Sequence, residues 1–222
     1  MGYFMRRRDM FAALAGVGVM AAGLPTGLAI AGQVGKGCYR IGQGGVRCTT
    51  GFVTTPDLPT QPCRSQAWAA CLAYLIQGFG ADVTVGDLLV RAGGQGCEPH
   101  DPETEISRLH AMSGHWKDRE GRGFLLGLAP LGSLHETHPA TDDFPRLLDR
   151  LTRQPLLCGS AGHTTVITEI TTRSPQPGNP WREGVMVRDP YPPSGGLRPL
   201  TQDELARPSW VLGVTMRPML AG

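Results

Sequence analysis

The spacing of apolar residues changes partway along this chain, and that change limits the folds open to it. Up to residue 153 the signals are helical. Ser65 can cap a helix from Gln66 to about Phe79, closed by Gly78 and Gly80. Thr84-x-x-Asp87 opens a second helix through Arg91, stopped at Gly93-Gly94. Asp101-Pro102-Glu103 starts a third that runs to about Ser113. A fourth, Thr141 to Arg153, has an apolar face of Phe144, Leu147, Leu148 and Leu151. Beyond it the period shortens to that of strands: Leu156-Leu157-Cys158, His163 to Thr172, Gly184 to Arg188 and Trp210 to Met216. Thr201-x-x-Glu204 is a capping box for a short helix. His115 to Ala140 reads as a long irregular crossing around Phe124-Leu125-Leu126, and SPQPGNPW as a turn-rich connection. The order predicts an α+β fold, an N-terminal helical half followed by an antiparallel β half.

A chain of 222 residues, 41% hydrophobic and 18% charged, can bury one ordinary core. Its formal charge of +2 gives no basic surface for nucleic acid or an anionic membrane.

Residues 1–31 differ in kind. Arg6-Arg7-Arg8 precedes the uncharged run FAALAGVGVMAAGLPTGLAIAG, and Ala29-Ile30-Ala31 supplies a small-x-small cleavage pattern. This resembles a twin-arginine export signal cut after Ala31, which implies a periplasmic or secreted protein without stable membrane insertion once cut. The alternative is an uncleaved anchor, since the run is long enough to span a bilayer. Gly content and Pro25 favour the signal. Twin-arginine export carries folded chains, so a protein partner in the exported complex is a further expectation.

Export makes the six cysteines candidates for disulfides. Residues 32–60 read as an extended lead-in, with a hairpin that Cys38 and Cys48 could staple around Gly42-Gln43-Gly44-Gly45. Cys63 with Cys97 is a second candidate pair. Cys71 and Cys158 sit among apolar residues as buried thiols would. The spacing alone leaves the connectivity open.

Residues 61–71 read QPCRSQAWAAC, later residues SAGHTTVITEI, and later still VMVRDPYPPSGG. In that order they resemble the papain-like cysteine peptidases over about residues 60–217. The nearest subgroup is bacterial and includes bacteriocin-leader-processing peptidases and a type of plant-pathogen effector protease. Its pattern is Gln, then Cys-Trp-Ala-Ala, then Gly-His before β-branched residues, then Asp-Pro-aromatic-Pro and a Gly turn. The resemblance implies a papain-like domain over 61–222, with Gln61 on the oxyanion, His163 as general base and Asp189 orienting the far ring nitrogen. Ala67 stands where that family has its nucleophilic Cys. A thiolate at a helix start gains from the helix dipole and a nearby imidazolium, and a methyl group cannot replace it.

The resemblance therefore implies an exported homologue without hydrolytic activity, its cleft kept for a peptide or protein ligand. One alternative is an active cysteine peptidase whose Cys has been changed to Ala67, with the backbone N–H of residue 67 joining Gln61 at the oxyanion. Another is a structural or assembly subunit with the inherited fold. Cys63 and Cys71, four residues to either side of Ala67, are candidates for a displaced nucleophile, but neither could meet His163 and Gln61 without refolding the site. Cys97-x-x-His100 and His135-x-x-His138 have metal-like spacing but no second pair, and read as loops with exposed imidazoles. No cofactor motif is present, so no cofactor and no metal are expected.

Overall fold

In the computed structural model the residues described are 37–42, 44–52, 54–61, 63–94, 97, 102–134, 143–160, 162–173, 181–191, 196–207 and 209–219. The export signal, its cleavage pattern, His100, His135, His138 and the connection 174–180 lie outside them.

Gly37–Ile41 (β1) and Gly45–Thr49 (β2) form an antiparallel hairpin in which Cys38 opposes Cys48, and the two are joined by a disulfide. After a 3-10 turn, Arg64–Gln66, comes α1 (Ala67–Gly78), then α2 (Val85–Arg91) and α3 (Pro102–Ala111). The chain then forms β3 (Gly114–Lys117) and β4 (Gly123–Gly132) before α4 (Asp143–Arg153). The rest is β5 (Leu156–Ser160), β6 (His163–Arg173), β7 (Trp181–Asp189), β8 (Gly196–Pro199), α5 (Gln202–Ala206) and β9 (Ser209–Pro218).

The architecture is α+β with one large antiparallel sheet and five helices among the described residues. The helical half and the β half are not separated as the sequence suggests. β1 and β2 precede the helices, and the crossing expected over His115–Ala140 contains two paired strands, β3 and β4. Gly127, Pro130 and Gly132 hide β4 from a propensity reading. Its backbone bonds come instead from β9, with a register shift between Pro130 and Gly132, a bulge of the kind where proline is tolerated.

β6 organises the sheet. β7 pairs with Val166–Arg173, which overlaps the stretches paired with β5 (163–167) and with β2 (169–173). β5 and β2 must therefore share the opposite edge of β6, one on each half of it. Both faces are covered. Trp68, Leu72, Leu75 and Ile76 of α1, with Leu88, Leu109 and Met112, pack on Leu157, Val166, Leu212 and Val214. Leu147 and Leu151 of α4 pack on Leu156, Cys158, Ile167, Ile170 and Val187. Adjacent residues of β5 and β6 thus enter different cores, as strand alternation requires.

α1 is buried on almost every side, only Gln77 being partly exposed among its residues. Its alanines let neighbours approach closely. At its end Gly78 takes the ring of Phe52, so near that a Cβ there would come within 2.2 Å of it. Gly159 of β5 is likewise the flat seat of Trp210. α2 and α5 carry capping boxes at Thr84/Asp87 and Thr201/Glu204. Ser65 does not cap α1: Gln66 is the N-cap, its side chain making no cap bond to the helix, and the Ser65 hydroxyl turns to Cys63 Sγ. A 3-10 turn ahead of α1 displaces the cap from the predicted position.

Cys63 and Cys97 form the second disulfide. Two disulfides are compatible with an oxidising compartment. Among the described residues no helix is long and apolar enough to cross a membrane.

Candidate functional site

β6 and β7 run antiparallel with Val166 opposite Arg188. Continuing that register puts Asp189 opposite Thr165, on the face His163 shares two residues earlier. The two side chains meet on that diagonal: His163 Nε2 lies 2.7 Å from Asp189 Oδ1, and the residues are 2% and 1% exposed. Asp189 has further partners. The Tyr191 amide donates to Oδ1 at 2.8 Å, and Arg198 Nε to Oδ2 at 2.7 Å. Burial alone would push the Asp189 carboxyl up. The bonds from His163, the Tyr191 amide and Arg198 outweigh it and hold the carboxyl at about 2. An ionised Oδ1 accepts, so Nε2 carries the proton in this pair.

Arg198 continues the chain of charges. Its two terminal nitrogens donate to Glu204 at 2.9 and 2.8 Å, a bidentate pair. Glu204, in turn, accepts from the Thr201 amide and hydroxyl at the start of α5. Against the cost of burial, Arg198 and the Thr201 bonds hold the Glu204 carboxyl at about 2. The sequence marks only a Gly-rich turn here. β8 pairs Leu197 with Arg188 and Gly196 with Asp189. A lone Arg among Gly and Pro, nine residues after an Asp, was the available signal.

The other face of His163 is different. Nδ1 is buried and, among the described residues, has no hydrogen-bond partner. Tyr191 stands edge-on to the ring, centroids 6.0 Å apart, and Arg64 lies over the Tyr191 ring. The next residue, Thr164, donates its hydroxyl to Glu105 of α3 and its carbonyl accepts from Cys71 Sγ at 3.5 Å. The second turn of α1 therefore rests on the start of β6, and the 3-10 turn before α1 also packs on that strand. Ala67 lies one turn before Cys71 on the same helix face and is fully buried. Burial pushes the Glu105 carboxyl up, against the Thr164 bond and the charges of His163 and Arg108.

Gln61 is brought to the same neighbourhood through its backbone, its amide donating to Pro190 O at 3.1 Å. Its side-chain Nε2 is engaged with Thr60 O at 3.1 Å, while Oε1 is buried and has no partner among the described residues. The backbone N–H of Ala67, expected at an oxyanion under the active-peptidase reading, donates to Arg64 O in the 3-10 turn. That turn closes on itself and uses up the donor.

Neither alternative sulfur is available. Cys63 is bonded to Cys97. Cys71 is fully buried, and desolvation first, then the charges of Asp189 and Glu105, push its thiol well above the ordinary range. Among the described residues no group of three or more His, Cys, Asp or Glu side chains is placed to hold a metal.

The chain matches no protein family, and no curated protein sequence is similar to it. Among solved structures, UfSP from C. elegans superposes with a TM-score of 0.43 at 11% identity, covering 81% of this chain and 35% of that one. The chain thus spans about a third of that neighbour's length.

Proposed function

We propose that this chain is an exported papain-like pseudopeptidase, a catalytically inactive homologue that binds a peptide or protein rather than cutting it. The observation that carries the reading is the His163–Asp189 pair, with Nδ1 buried and without a partner among the described residues, beside a helix that opens on Ala67. On this reading His163 is the base and Asp189 its orienter, and Ala67, where a thiol would be activated, carries only a methyl group. Without a lone pair at residue 67 no acyl-enzyme can form. Export is supported by the arginine-led apolar segment and by two disulfides. A second reading, a structural or assembly subunit, is favoured by burial: Ala67 is 0% and His163 2% exposed.

The test compares the chain as given with Ala67→Cys, each with and without His163→Ala. The readouts are reaction with an electrophilic peptide probe, cleavage of a mixed peptide library, and retention of uncleavable peptides. The pseudopeptidase reading expects the chain as given to retain peptides without cleaving them. It also expects Ala67→Cys to be labelled in a His163-dependent way. Cleavage by the chain as given would overturn it. Absence of both peptide retention and labelling would leave the structural-subunit reading.

A further inference from the structure

Between the last turn of α4 and the end of β9 lies a groove of about 320 Å³, lined by Phe79, Arg150, Arg153, Gln154, Thr215, Met216 and Arg217. None of these residues belongs to the His163–Asp189 cluster. Three of the seven are arginines and none is acidic. Arg153 is held by Asp149 at 2.9 Å. Among the described residues no hydrogen bond or ion pair engages the guanidinium of Arg150 or of Arg217. Arg150 is laid across β9: a Cβ at Gly213 would come within 3.3 Å of its Nε, so the glycine makes its seat.

Arginines in the last turn of a helix have an ordinary explanation, since they complement the negative end of the helix dipole. That accounts for Arg150 and Arg153. It does not account for Arg217, which belongs to a strand, nor for Gln154. Gln154 is 5% exposed, and among the described residues its Nε2 has no acceptor. It lies in the wall of the groove with Arg150 and Arg217.

We infer that this groove is a binding site for a phosphate-class oxyanion, inorganic phosphate or a phosphate monoester, held by Arg150 and Arg217 against a wall that includes Gln154. Charge decides the class. A phosphate near neutral pH carries about −1.5 to −2, which matches two free guanidinium groups, whereas a single carboxylate matches one. Its oxygens also offer enough acceptors for two planar forks. The helix C-terminus opposes an anion, and the arginines must offset that term.

The experiment is calorimetric titration of the full chain with inorganic phosphate, run beside chloride and acetate at matched ionic strength. Saturable binding of one phosphate per chain is expected, weakened about tenfold or more in Arg217→Gln and in Arg150→Gln, as loss of a charge-assisted bond implies. Arg217 is exposed, so its variant decides the matter even where Arg150→Gln fails to fold. No saturable heat, undiminished binding in Arg217→Gln, or acetate binding as tightly as phosphate would each overturn the assignment.

Discussion

Arg198 reaches across from β8 to place its Nε 2.7 Å from Asp189 Oδ2, while Oδ1 of the same carboxylate holds His163. The imidazole is therefore oriented by a carboxylate that is itself oriented by a cation. Removing the cation takes a charge partner from an almost fully buried carboxylate. Arg198→Met should cost about 3 kcal/mol, the low end for breaking a buried pair, because Arg198 is partly exposed. Urea unfolding measures it, and a midpoint unchanged from the parent would show that Asp189 does not depend on Arg198.

The same network dictates behaviour in acid. Asp189 and Glu204 are held at about 2 in the folded protein, whereas in an unfolded chain the two carboxyl types titrate at about 3.9 and 4.3. Depressed folded values stabilise the fold where both states are ionised. Their contribution is whole above about pH 5 and drains away as the pH falls through 4 toward 2. Melting scans should show that loss, and Asp189→Asn should make it shallower. An Asp189→Asn protein as acid-sensitive as the parent would place the sensitivity elsewhere.

Glu105 has the opposite sign. Burial raises its folded value, so its contribution grows as the pH drops from neutral. Glu105→Gln keeps an acceptor for Thr164 and removes the buried charge. It should melt higher than the parent at pH 7 to 8, with the difference closing toward pH 4. A constant difference across that range would mean that the charge is not what matters.

At Gly78 the usual helix rule should reverse. Alanine in place of a helical glycine ordinarily gains about 0.5–1 kcal/mol. Here the new Cβ would meet the Phe52 ring, itself locked edge-on against Tyr74 and Phe79. Overpacking of this kind costs about 1–3 kcal/mol, so Gly78→Ala should destabilise. Pairing it with Phe52→Leu should recover part of the loss, and additivity of the two changes would count against the clash.

Cys71 and Cys158 are the two cysteines outside the disulfides, both buried. A thiolate-selective disulfide reagent at pH 8 should find neither in the native protein and both in denaturant. Stoichiometric native labelling at Cys71 would bring back a displaced nucleophile.

How much of this could be read from the letters depends on how local each cause is. The capping boxes at Thr84 and Thr201 span four residues and are visible as patterns. His163 at a strand start and Asp189 at the end of the next strand are also visible, because alternation marks both strands. Arg198 is not, since its role depends on a β7–β8 register that a Gly-Pro sequence conceals. β4 is missed for a related reason: its pairing with β9 lies some ninety residues away and overrides weak strand propensity. The engagement of the Ala67 N–H with Arg64 O belongs to a 3-10 turn, which sequence patterns mark poorly.

The double use of one edge of β6 has a consequence for how the chain is made. β2 pairs with Glu169–Arg173, more than a hundred residues downstream, so the hairpin formed first has nowhere to dock until most of the chain has left the ribosome. Closure at such long range is slow, and both cores stay open to solvent in the meantime. The β1–β2 cystine spans a sequence separation of only ten, so it ties the hairpin to itself and leaves the long-range docking on β6 to the strand pairing.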